Sequence, residues 1–171
     1  ELVYDETNDY YNYLKHGSCQ LTQPHIPLNN GGSGSYYDVI WQLYLSETYG
    51  NSAIKKLWDR RKSHKGESFI DSYSYTLSTL GETLNKSIDQ YFLYNFFTND
   101  RSFNFGYSEA KFYIKAPYFK ELSTVNNEEQ IYINPWASHY YSLNFTRENP
   151  LTIGINSNHI ELKVHYVSKE K

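Results

Sequence analysis

The stretch SYYDVIWQLYLSETYGNSAIKKLWDRR, residues 35–61, predicts two consecutive helices separated by Gly50. In its first half, apolar side chains recur three and four positions apart and form one face of a helix that runs to Tyr49. Gly50 ends that helix, because glycine readily adopts the positive φ of a C-terminal cap. Asn51 or Ser52 then caps a second helix. The apolar positions of the second helix are Ala53, Ile54, Leu57 and Trp58.

Helical patterns continue on both sides of this stretch. Residues 1–15 carry apolar side chains at helical spacing, and an irregular loop rich in proline, asparagine and glycine follows over residues 23–35. Further along, Ser68 opens a helix, and Thr83 or Asn85 precedes another. Because the links between these helices are short, we expect neighbouring helices to pack antiparallel. The apolar stripe of the last helix is Leu84, Ile88, Tyr91, Phe92, Asn95 and Phe96.

Beyond residue 128 the apolar spacing changes to every second residue, which is typical of β-strands. Strands of this kind, separated by polar turns, favour a small antiparallel sheet. The sequence therefore predicts an α+β fold, with an antiparallel helical bundle over residues 1–103, a connector over 104–127, and a small antiparallel β-sheet over 128–171 that begins a β-sandwich. The alternating positions are Tyr141, Leu143 and Phe145, then Leu151, Ile153 and Ile155, and then Ile160, Leu162, Val164 and Tyr166.

Composition excludes several classes of protein. The chain has 171 residues, with 16 Lys and Arg against 19 Asp and Glu, and this balance argues against nucleic-acid binding. No apolar run approaches the roughly 20 residues that span a bilayer, so no transmembrane segment is predicted. An aromatic content of 18% is too high for a disordered chain. The 19 tyrosines suit either a wet surface for protein or glycan contacts or a tyrosine-rich core.

Few residues form a pattern that carries chemistry. Cys19 is the single cysteine and the motif HExxH is absent, so the chain offers neither an internal disulfide nor that zinc motif. The six histidines are interpreted as solvated or locally hydrogen-bonded; His16 and His25, which flank the proline-rich loop, are the pair of most interest. Residues 31–35 resemble a phosphate-binding loop but lack its Gly-Lys-Ser/Thr sequence. The basic residues 60–62 are interpreted as a solvated helix end.

Several segments together resemble a family of secreted bacterial zinc metalloproteases of the gluzincin type. The most specific is YNFFTNDR, residues 94–101, which looks like that family's WNYFTGxR segment and is followed by Tyr107. The similarity covers about residues 1–115, after which the family continues into a β-rich region. The other segments that carry the resemblance are Val3 to Tyr11 with Tyr13-Leu14, Pro27-Leu28-Asn29, Tyr36 to Gly50, and Ile54 to Trp58.

The resemblance implies that the chain is not catalytic by itself. In the family, HExxH and a third ligand, a glutamate, come before the segment that aligns with Glu1, so the zinc would be held by the parent protein and this chain would have no cofactor. Because methionine is absent, we expect Glu1 to be a cut end. The partner would be the upstream portion of the same protein or a separate chain, and the location would be secreted or at the cell surface.

Tyr36 is the one residue that the resemblance connects with the chemistry. Gluzincins often place a tyrosine just before the helix that follows the third ligand, where its hydroxyl stabilises the oxyanion. Tyr36 matches that place, with Tyr37 as the neighbouring candidate, although Gly34-Ser35 stand where His-Glu is commoner. In the simpler alternative, Tyr36 begins the buried face of its helix. The alternative function is a non-catalytic extracellular or cell-surface binding or assembly module for a protein or peptide ligand, built on a degenerate protease scaffold.

Overall fold

The computed structural model describes residues 10–16, 19–30, 39–122 and 132–143, and these residues are mostly helical. Short 3₁₀ turns at Asn99–Arg101 and Ala110–Phe112 follow the last helix. None of the described helices is long and apolar enough to cross a membrane. The helices are α1 (Tyr10–His16), α2 (Val39–Tyr49), α3 (Asn51–Ser63), α4 (Phe69–Ser78) and α5 (Leu84–Phe96), and the strands are β1 (Lys120–Leu122) and β2 (Tyr141–Leu143).

The boundaries of α3, α4 and α5 follow from local capping chemistry. Ser68 and Thr83 are confirmed as N-caps, because their side-chain oxygens accept hydrogen bonds from the backbone N–H groups three residues later. The predicted cap of α3 is wrong: α3 already begins at Asn51, and its N-cap is Gly50, which has a φ of 80°. With a single residue between α2 and α3, the boundary depends on the backbone freedom of glycine and not on a polar side chain.

The four helices α2 to α5 pack around aromatic rings. Helix α2 contacts α3 and α5, and α4 contacts both α3 and α5. Trp41 is fully buried, stacks on Tyr44 at a centroid distance of 5.3 Å, and meets the edges of Tyr73 at 5.7 Å and Tyr91 at 5.0 Å. Each such pair adds roughly 0.5–1.5 kcal/mol beyond the burial of apolar area. Aromatic packing among α2, α4 and α5 therefore forms the centre of the core.

The same core includes residues that lie outside these four helices. Leu14 of α1, Leu21 just before the proline-rich loop, and Leu28 within that loop are buried in one cluster with the helices. Tyr107 and Tyr113, in the predicted connector, belong to this cluster as well. The loop and the connector are therefore packed against the helical part, although neither forms a long regular element.

The predicted antiparallel sheet is wrong for the strands that the structure describes. Strands β1 and β2 pair in parallel, with Lys120 opposite Tyr141 and Leu122 opposite Leu143. Alternating side chains are compatible with either strand direction, so the pattern at 141–143 did not determine the direction of its partner. The remaining predicted strands, over residues 145–166, lie outside the described residues.

The link between α3 and α4 is held by charged groups. Arg60 donates from Nε and Nη2 to the Glu67 carboxylate over 2.5–3.2 Å, and Ser72 Oγ donates to the same carboxylate at 2.8 Å. The Arg60 and Ser72 hydrogen bonds lower the pKa of Glu67 to about 2. Arg61 donates to the Glu67 carbonyl and lies over the ring of Phe69. Both arginines therefore have defined partners, which corrects their interpretation as part of a solvated helix end.

Candidate functional site

The residue predicted to act in catalysis cannot be placed in this fold. Tyr36 and Tyr37 lie outside the described residues, so the oxyanion role of Tyr36 stays a prediction. Among residues 10–16, 19–30, 39–122 and 132–143, no three or more His, Cys, Asp or Glu side chains come together in a way that could hold a metal ion.

The segment at 94–101, which carries the most specific resemblance, places polar side chains in the interior. Asn95 and Thr98 are both fully buried. The Tyr107 hydroxyl donates to Asn95 Oδ1 at 2.7 Å, and the Thr98 hydroxyl lies 2.9 Å from the Ile114 carbonyl. Burial raises the pKa of Tyr107 well above its usual value, so its hydroxyl stays protonated and remains a donor.

The end of the same segment binds further backbone carbonyls of the connector. Asn99 Nδ2 donates to the Tyr113 carbonyl at 2.9 Å, and Arg101 Nη1 donates to the Ala116 carbonyl at 2.9 Å. Asn99 has a φ of 59°, a left-handed conformation that asparagine tolerates better than most residues. These hydrogen bonds satisfy carbonyls that the irregular backbone does not pair itself. In this structure the polar residues of the segment therefore position the connector.

The aromatic residues around the segment form a continuous surface, here called the aromatic strip. The rings of Phe96 and Phe97 lie 5.2 Å apart, and Phe97 contacts Phe103 at 4.7 Å and Phe105 at 5.6 Å. The strip ends at Tyr118, 6.3 Å from Phe96. Phe103 is 60% exposed and Tyr118 is 39% exposed. The strip consists of Phe96, Phe97, Phe103, Phe105 and Tyr118.

Arg101 adds a cationic group to one end of the aromatic strip. Its guanidinium lies 4.5 Å from the ring centroid of Phe96 and 4.3 Å from that of Tyr118. A guanidinium over two rings combines an apolar contact with a fixed positive charge. Rings of this kind beside an arginine have the composition of a protein-binding surface. Sequence reasoning missed this surface because Phe96 was assigned to the core stripe of its helix.

A second group of side chains forms where the proline-rich loop meets residues 132–143. The Ser138 N–H donates to the Pro24 carbonyl at 2.8 Å, and the Leu28 N–H donates to the Trp136 carbonyl at 3.0 Å. These bonds bring the ring of His25 to within 6.5 Å of His139, in what we call the His25–His139 junction. The structure thus brings His25 together with His139, a pairing that sequence reasoning did not find.

The surroundings of the His139 imidazole disfavour its protonated form. The imidazole stacks on Phe119 at a centroid distance of 4.2 Å, and its buried Nδ1 has no hydrogen-bond partner among the residues that the structure describes. Burial, together with the nearby His25, lowers the pKa of His139. The neutral ring is therefore favoured, and protonation would introduce an unpaired charge beside a second histidine.

Comparison of the chain with protein-family models, with curated proteins and with solved structures gives no match.

We expect Tyr107→Phe to lower the free energy of unfolding by about 2 kcal/mol, because it leaves the buried Asn95 Oδ1 without its donor. Chemical denaturation followed by circular dichroism measures the loss. Tyr118→Phe is the matched control, since it removes the hydroxyl of an exposed ring and should leave the unfolding free energy unchanged. Equal stability of the wild-type and Tyr107→Phe proteins would contradict the buried hydrogen bond.

Stability should fall as the pH drops below about 6.5, the usual pKa of histidine in an unfolded chain. The pKa of His139 is lowered in the folded state. The unfolded state therefore binds more protons than the folded state once the pH falls below the unfolded-state pKa of about 6.5. The Glu67 carboxylate, with a pKa of about 2, does not titrate in this range. Urea denaturation at pH 7.5 and 5.5 tests this, with His139→Gln expected to reduce the difference and exposed His64→Gln expected to preserve it. An unaltered pH dependence in His139→Gln would refute the assignment.

Proposed function

We propose that the chain is the C-terminal part of a secreted zinc-metalloprotease-like protein, that it is not catalytic alone, and that its helices line one side of a peptide-binding cleft. In the family that the chain resembles, HExxH and the third ligand precede the segment that aligns with Glu1, and for this reason we assign the metal to polypeptide outside this chain. Zinc bound there would lower the pKa of a water molecule and polarise the peptide carbonyl. Within this chain, the Tyr36 hydroxyl would donate a hydrogen bond to the oxyanion.

The aromatic strip is the observation that supports this proposal. Phe96 and Phe97 belong to the segment at 94–101 that carries the resemblance, and both are partly exposed beside Phe103. A large, continuous aromatic surface in contact with water is unfavourable unless another molecule covers it. The strip therefore has the properties expected of a surface that packs against the polypeptide carrying the metal ligands.

A second function is favoured by the polar rim of the same surface. Arg101 is held over Phe96 and Tyr118, and such an arginine beside exposed rings is typical of protein-binding sites. A non-catalytic binding or assembly module at the cell surface would use the strip to hold a separate protein or peptide ligand. The two functions differ in whether the protein that contains this chain holds zinc.

The first experiment measures zinc and peptidase activity in the protein purified from its source with an antibody against this chain. We expect about one zinc ion per molecule and hydrolysis of casein that a chelator abolishes, and neither property in the 171-residue chain alone. The variant Tyr36→Phe should lower kcat by about 100-fold with KM unchanged, because it removes one oxyanion donor. Tyr132→Phe, at a highly exposed position, is the matched control.

Each outcome of that experiment has a distinct meaning. Zinc-dependent hydrolysis that is insensitive to Tyr36→Phe would leave the protease proposal standing and remove the role of Tyr36. A purified protein without zinc that co-purifies with a protein or peptide ligand would reject the protease proposal in favour of the binding module. A protein with neither zinc nor a ligand would reject both.

The second experiment asks whether the aromatic strip is covered. Phe103→Cys places a thiol in the strip, while Phe112→Cys places one at an equally exposed ring outside it. In the 171-residue chain both thiols should react with a maleimide at similar rates, and the natural Cys19 should react slowly because it is buried. In the protein purified from its source, the thiol at 103 should react at least 10-fold more slowly than the thiol at 112. Equal rates there would show that the strip is not the packing surface.

A further inference from the structure

A cleft lies between α3 and α4, away from the aromatic strip and from the His25–His139 junction. Its volume is about 400 Å³, which is large enough for a small polar ligand. It is open to solvent on one side. The residues that line it are Lys56, Asp59, Arg60, Ser63, His64, Tyr75, Thr76 and Thr79.

The α3–α4 cleft lies in the most basic part of the chain. Residues 55–67 contain six Lys and Arg side chains and two carboxylates, although the whole chain has a net charge of −3. The Asp59 carboxylate is paired with Lys55 Nζ at 2.5 Å, which offsets its negative charge at the cleft. Lys56, by contrast, forms no ion pair within the described part of the chain. The field in the cleft therefore favours an anion.

Arg60 is held in one orientation at the cleft. One edge of its guanidinium, Nε and Nη2, binds the Glu67 carboxylate, and the Tyr75 ring lies 4.0 Å from the guanidinium carbon. A guanidinium has five N–H donors, so the Glu67 contact leaves the two on Nη1 available. Because its position is already fixed, Arg60 would lose little side-chain entropy when it binds a ligand.

Thr76 is the buried hydroxyl residue among those that line the cleft. The residue is only 5% exposed, and its hydroxyl has no hydrogen-bond partner within the described residues. The neighbouring hydroxyls are already engaged, because Thr79 Oγ1 donates to the Thr76 carbonyl and Ser63 Oγ donates to carbonyls of its own helix. A buried hydroxyl without a partner is uncommon and costs free energy that a bound acceptor would recover.

We infer that the α3–α4 cleft binds a tetrahedral oxyanion, a phosphate or sulfate group, with Lys56 and Arg60 as its charged partners and Thr76 as a hydroxyl donor. The three residues line one cleft from two helices. A tetrahedral oxyanion presents acceptor oxygens in several directions, whereas a carboxylate presents two in one plane. The inference is independent of the proposed function, because it uses no residue of the aromatic strip and neither Tyr36 nor zinc.

Isothermal titration of the 171-residue chain with sodium phosphate and sodium sulfate, at constant ionic strength set by sodium chloride, tests the inference. We expect saturable binding of one anion per chain to the wild-type protein. Lys56→Gln should weaken binding at least 10-fold. Lys62→Gln is the matched control, because it removes the same charge from an exposed lysine of α3 that does not line the cleft, and it should change the affinity less than twofold.

Two further measurements test the role of the Thr76 hydroxyl and whether the bound anion is a free ion or part of a larger molecule. Thr76→Val keeps the shape of the side chain and removes the hydroxyl, so it should weaken binding about 5-fold, with thermal melting used to verify the fold. Glucose 6-phosphate and glucose 6-sulfate test whether an ester binds more tightly than the free ion, which would indicate a larger ligand that carries the group. Equal effects of Lys56→Gln and Lys62→Gln, or no saturable binding to the wild type, would overturn the inference.

Discussion

The hydrogen bonds between segment 94–101 and the connector are the interaction on which the rest of the structure depends. The connector is mostly irregular, so its carbonyls need donors that regular secondary structure would otherwise supply. The Ile114 carbonyl accepts a hydrogen bond from Thr98, the Tyr113 carbonyl from Asn99, and the Ala116 carbonyl from Arg101. The connector then brings Tyr107 and Tyr113 into the aromatic core beside α2 and α5. Aromatic burial alone is non-directional, and these bonds select one path for the chain over the core.

The same bonds determine where the aromatic strip lies. The side chains of Asn95 and Thr98 are buried, whereas the rings of Phe96 and Phe97, which lie between them in sequence, are partly exposed. Phe103 and Phe105 pack against Phe97 at this surface. An exposed surface of this kind is therefore a consequence of burying polar groups at the end of α5. This explains how one short segment can position the connector and also form a candidate binding surface.

Sequence reasoning succeeded where the signal is local and failed where it depends on distant residues. Ser68 was identified, and Thr83 was one of two candidates with Asn85, because an N-cap is defined by its own side chain and the next three residues. The parallel pairing of β1 with β2 could not be read from alternation, which is the same for both strand directions. Likewise His25 and His139 come together through loop-to-loop backbone bonds that leave no pattern in the sequence. For Tyr36, the resemblance remains the only support.

At the α3–α4 cleft, the role of each basic side chain depends on the groups that it contacts. Arg60, Arg61 and Lys62 are consecutive basic residues at a helix end, and helix geometry directs their side chains to different sides. Arg60 is fixed between Glu67 and Tyr75, and Arg61 lies over Phe69. The Glu67 carboxylate offsets the charge of Arg60 and also keeps its guanidinium in place, so it weakens the positive field of the cleft while it lowers the entropy cost of binding. Lys56 adds a charge that no carboxylate pairs with in the part of the chain that the structure describes, and this unbalanced charge distinguishes the cleft from an ordinary surface ion pair.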